Sequence, residues 1–68
     1  MKYKGYRINL RPTRDDYITK EGFGVWMLEL EKDGFIVGRA VGVEMTLKAI
    51  EQYAFDEIDK LIEKEKKQ

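Results

Sequence analysis

Apolar and polar positions along the chain first follow a period of two and later a period between three and four. Over residues 2–11, Tyr6, Ile8 and Leu10 alternate with Arg7, Asn9 and Arg11, the pattern of a strand buried on one face. Gly5 reads as a bulge at which Tyr3 changes phase. Pro12 has no amide to donate and stops the ladder. Residues 12–22 form a loop, in which Thr13 and Asp16 are spaced to cap a single helical turn. Two more apolar-rich runs, 23–32 and 35–43, flank Asp33-Gly34. That dipeptide favours a two-residue hairpin turn, whose two residues both need positive φ. A strict two-residue turn places Leu30 opposite Val37, Leu28 opposite Arg39 and Trp26 opposite Val41, and opposed residues share a face. One face then collects Trp26, Leu28, Leu30, Phe35, Val37, Val41 and Val43 and reads as the core, with Arg39 discordant unless a bulge lies near Gly38. The other face holds Val25, Met27, Glu29, Glu31 and Ile36, with the small residues Gly38, Ala40 and Gly42.

From residue 46 the period changes. Leu47, Ile50, Ala54, Ile58 and Leu61 recur at three- and four-residue spacing, while Lys48, Gln52, Asp56, Lys60 and Glu63 fall on the opposite side. This is an amphipathic helix over about 46–66, with Thr46 as its N-cap. Lys64, Lys66 and Lys67 complement the negative end of its dipole. The expectation is one α+β domain over residues 1–68. It comprises a three-stranded antiparallel sheet (strands about 2–11, 23–32 and 35–43) and a C-terminal helix packed on one face.

Composition narrows the chemistry. The 68 residues contain no Cys and no His, and no Ser occurs in the sequence. Disulfides, thiolate or imidazole metal sites and nucleophilic triads therefore lack their parts. The longest apolar run, Val25 to Leu28, is far too short to span a bilayer. The start of the chain lacks an apolar signal region, so the expected location is cytoplasmic. Asp15, Asp16 and Glu21 match no calcium-loop spacing. Gly34, Gly38 and Gly42 precede no helix and form no phosphate loop. Glu29 and Glu31 share one strand face without a concave element beside them. The reading is a protein with no catalytic residues, metal, cofactor or small-molecule substrate, and so not an enzyme.

The formal net charge of zero conceals an uneven distribution. Residues 1–20 carry Lys2, Lys4, Arg7, Arg11, Arg14 and Lys20 against Asp15 and Asp16. Residues 21–45 carry Lys32 and Arg39 against Glu21, Glu29, Glu31, Asp33 and Glu44. A basic first strand and loop thus precede an acidic hairpin. Tyr3, Arg7, Asn9, Arg11, Arg14 and Lys20 form a candidate nucleic-acid surface, since Arg and Lys contact phosphates and Arg or Asn reads purine edges. Val25, Met27 and Ile36, with Tyr17 from the loop, form a candidate apolar surface for a protein partner or for self-association.

Two resemblances bear on these alternatives. The hairpin from Trp26 through Asp33-Gly34, followed by Thr46 and its amphipathic run, resembles the sheet-plus-helix DNA-binding domains of phage integrase arms and plant AP2 proteins. The likeness covers about residues 23–62 and implies a sheet face that meets the major groove; here Arg7 and Arg11 match that chemistry. Tyr3-Lys4-Gly5-Tyr6, the Lys32-Asp33-Gly34 hairpin and the terminal helix are similar to short uncharacterised proteins of phages and mobile elements. That likeness implies a protein partner, as for an inhibitor or regulator of a host factor. The expected function is a non-catalytic protein-binding module, with DNA binding by the exposed sheet face as the alternative.

Overall fold

The computed structural model describes residues 1–13 and 18–67. Arg14, Asp15, Asp16 and Tyr17 lie outside the described residues, and with them the Thr13–Asp16 cap, the carboxylate cluster and part of both candidate surfaces. The fold is α+β, with an antiparallel sheet and one C-terminal helix. The sheet has four strands rather than three: β1 (Lys2–Tyr3), β2 (Tyr6–Pro12), β3 (Phe23–Lys32) and β4 (Phe35–Thr46), in the order β1-β2-β3-β4. The helix α1 spans Leu47–Lys66.

The extra strand comes from Lys4-Gly5, which is a turn and not a bulge. Its φ angles of 49° and 86° match the pair at Asp33 (52°) and Gly34 (84°). Both two-residue turns therefore use left-handed backbone, the conformation whose twist suits adjacent strands. The first turn folds Tyr3 back opposite Tyr6.

The β3–β4 pairing departs from the strict alternation expected after Asp33-Gly34. Lys32 opposes Phe35 and Glu31 opposes Ile36, but Leu30 then opposes Gly38, Leu28 opposes Ala40 and Trp26 opposes Val43. Val37 and Gly42 have no partner on β3; each is an extra residue at a bulge. Gly42 adopts φ 74°, which a side chain would strain. The expected core membership of β4 is corrected accordingly. Gly38, Ala40 and Val43 turn towards the helix, while Arg39 and Val41 turn away. Phe35, Val37 and Val41, expected inside, are exposed.

The core consists of Tyr6, Ile8, Trp26, Leu28 and Leu30 from the sheet and Ile50, Ala54 and Ile58 from α1. The Trp26 indole N–H donates to the Met45 carbonyl at 2.9 Å, so its burial leaves no orphan donor. Thr46 caps the helix as expected, accepting from the Ala49 amide at 3.1 Å. The Leu47 amide donates to the Gly22 carbonyl at 2.9 Å. Gly22 has φ +78°, and a Cβ there would lie 3.2 Å from the Leu47 Cβ. The loop end and the helix start are thereby fixed together.

The N-terminal hairpin clamps the other half of α1. Tyr3 stacks on Phe55 with ring centroids 4.5 Å apart. Its hydroxyl donates to the Asp59 carboxylate at 3.1 Å, and Lys4 Nζ lies 2.9 Å from Asp59. Tyr6 donates to Glu65 at 3.3 Å, and Lys32 Nζ stands 3.6 Å from Glu65 and 4.9 Å from the Tyr6 ring centroid. The hydrogen bond from Lys4 holds the Asp59 carboxyl below its ordinary value of 3.8, and the same bond raises Lys4 above 10.5.

The molecule measures 42 × 20 × 18 Å and exposes 5009 Å².

Two outcomes are expected. Ile50→Ala, which empties a fully buried site, should cost about 2–5 kcal/mol in urea unfolding. The Lys4–Asp59 contribution should be complete between the ordinary pKa values of its two partners. It should fade as pH falls below 3.8 through the depressed carboxyl pKa, and again as pH rises above 10.5 through the raised ammonium pKa. An Asp59→Asn variant should lose that dependence at both ends of a pH series of unfolding curves.

Candidate binding surface

One face of the sheet carries α1 and the other is uncovered among the described residues. Cross-strand register places the residues of the uncovered face in rows. Arg7, Glu31 and Ile36 form the first row, Asn9, Glu29 and Arg39 the second, and Arg11, Met27 and Val41 the third; Val25 and Glu44 follow. Alternation along β2 and β3 thus brings Arg7, Asn9, Arg11, Val25, Met27 and Ile36 onto one face, as expected. Tyr3 does not join them. The Lys4-Gly5 turn puts it on the helix side, where its ring and hydroxyl are taken by Phe55 and Asp59. Lys20 lies exposed in the loop.

The rows decide how each proposed surface behaves. Arg7 stands across from Glu31. Arg39 donates from Nε to the Glu29 carboxylate at 3.1 Å, and its Nη2 reaches the same oxygen. Cations and carboxylates stand side by side in the first two rows, where a polyanion would meet repulsion beside attraction, whereas Arg11 faces Met27. Glu29 is held by Arg39, and its side chain is largely covered. The apolar positions are also divided. Val25, Met27 and Val41 are neighbours, whereas Ile36 is cut off from them by the Arg39–Glu29 pair.

A second apolar feature, interrupted at Arg39, runs along β4, the long edge strand whose one partner among the described residues is β3. Phe35 (73% exposed), Ile36, Val37 and Val41 (63%) all lie on it. Leu47 and Tyr53, also exposed, stand on α1. The position of this flank was concealed by the strict register. Its signals were Arg39, misplaced on the expected core face, and glycines at 38 and 42, where bulges reset the alternation.

Beside the flank, β4 and α1 enclose a cleft of about 90 Å³ lined by Leu28, Leu30, Val37, Gly38, Ala40, Tyr53, Glu57 and Leu61, with Arg39 at its edge. A second, polar depression of about 230 Å³ lies between the two hairpin turns and is lined by Lys2, Gly5, Arg7, Glu31, Asp33 and Gly34. Its two cations and two carboxylates offset one another. Among the described residues, no group of three or more potential metal ligands converges, and no helix is long and apolar enough to cross a membrane.

With Arg7 across from Glu31 and Arg39 paired to Glu29, the uncovered face should give no salt-dependent mobility shift with random duplex DNA at low ionic strength. A shift that charge reversal at Arg7 and Arg11 abolishes would restore the nucleic-acid reading. No family model, no curated protein and no solved structure matches this chain.

Proposed function

We propose that this chain is a non-catalytic binding module that acts through protein–protein contact, with the β4 flank as its principal surface. One observation carries the reading: the longest strand of the sheet lies at its edge, with no second neighbour among the described residues, and bears four exposed large apolar side chains. Folded proteins ordinarily blunt such edges with charge, proline, bulges, short length or a covering element; of these β4 has the bulges at Val37 and Gly42. β4 has twelve residues, and its central cation, Arg39, is turned onto the outer face by Glu29. Val25 and Met27, next to Val41, extend the surface around the edge.

The test uses Val41→Lys, which places a charge on the flank at a position with no core contact. Wild-type protein should associate with itself in sedimentation equilibrium or capture a discrete protein partner. Val41→Lys should weaken that association about tenfold or more, with an unchanged circular dichroism spectrum. A monomeric wild type whose captured proteins equal those of the variant would contradict the proposal.

A further inference from the structure

We infer that the cleft between β4 and α1 receives an extended segment of another protein, which joins the sheet as a fifth strand beside β4. One bulky aliphatic side chain of that segment enters the cleft, and a basic residue stands next to Glu57. The inference rests on the protein-binding reading above and names the occupant of its surface.

The free edge of β4 offers backbone N–H and C=O groups in a row, and an extended chain is the structure that pairs with such a row. Strand addition by itself carries little specificity; the pockets that receive alternate side chains supply it. Here the pocket is built by an absence. Gly38 faces Leu30, and a Cβ at that position would lie 3.3 Å from the Leu30 Cδ1. With glycine there and Ala40 two residues on, the buried Leu28 and Leu30 form the floor, and Tyr53 and Leu61 form the wall. The volume of about 90 Å³ is smaller than the ~150 Å³ cavity that encloses a benzene. A branched aliphatic side chain fits it.

Charge indicates the neighbouring residue. Arg39 is occupied by Glu29. Among the described residues Glu57 pairs with Lys60 alone, at 3.3 Å and with the Lys60 side chain 75% exposed, a pair of the kind worth little in water. The cleft therefore presents a carboxylate without a comparable cation, and a Lys or Arg on the incoming segment complements it.

A second copy of this chain fits the site less well. The bulges at Val37 and Gly42 divide the long part of β4 into two four-residue runs in register with β3, Gly38–Val41 and Val43–Thr46, and the cleft lies beside the first, which is enough for a short segment but not for two long strands. Two-fold pairing through that run would also separate the α1 axes by three strand spacings, about 14 Å. Packed helices lie 8–10 Å apart, so the cleft would stay unfilled, with the two Glu57 carboxylates turned towards each other.

The probe is a displayed library of random peptides of about nine residues, selected on the intact protein. Enriched peptides are then synthesised and followed by amide exchange and titration. The expected peptides alternate in polarity and carry one aliphatic position next to Lys or Arg. They should protect the amides of the Gly38–Val41 run. Gly38→Val, which fills the cleft, should weaken binding tenfold or more. Glu57→Lys, a surface change that leaves the core intact, should weaken it severalfold even if Gly38→Val folds poorly. Peptides that protect Val25 and Met27 but not β4 would overturn this inference and leave the protein-binding reading standing. Protection of β4 by dimerisation without peptide would also overturn it, with the second copy as occupant. No enriched peptide together with no partner and no self-association would remove both.

Discussion

The arrangement of this protein depends on a mismatch in length between two paired strands. β4 has two residues more than β3 can match, and the surplus is absorbed at Val37 and Gly42. Each bulge resets the alternation of side chains. Between them, Gly38 and Ala40 face the helix, a Cβ at 38 would press on Leu30, and Arg39 turns outwards to meet Glu29. Beyond the second bulge, Val43 and Met45 return to the core, and the Met45 carbonyl becomes the acceptor for the Trp26 indole. The same resetting expels Val37 and Val41. The core is small, eight buried residues, and the apolar flank outside it follows from the same register.

The helix is held over this sheet from two ends. At its start, the Thr46 cap and the Leu47–Gly22 hydrogen bond fix its origin. Towards its end, the turn at Lys4-Gly5 brings Tyr3, Lys4 and Tyr6 against Phe55, Asp59 and Glu65. These contacts lie on the β1–β2 side of α1. The opposite side, towards β4, has no such cover among the described residues and retains a cleft. That asymmetry supports the β4 flank as the proposed binding surface.

Much of the fold was legible in the sequence. The helix, its Thr46 cap, the Asp33-Gly34 turn and the alternation of β2 follow from local chemistry, and each appears as expected. What escaped was non-local. Lys4-Gly5 lacks the Asn or Asp that usually announces a two-residue turn, although Tyr3 and Tyr6 bracket it as Lys32 and Phe35 bracket the other. The bulges are set by packing of β4 against Leu30 and Trp26, which periodicity does not encode. The outward residues of β2 and β3 were therefore assigned to the correct face. Phe35, Val37 and Val41 were not, and these are the residues that mark the flank.

Cross-strand proton contacts measured by NMR test the register on which this account depends. The account predicts that Trp26 lies across from Val43, Leu28 from Ala40 and Leu30 from Gly38. Contacts pairing Trp26 with Val41, Leu28 with Arg39 and Leu30 with Val37 would contradict it. They would return Val37 and Val41 to the core and remove the surface assigned to binding.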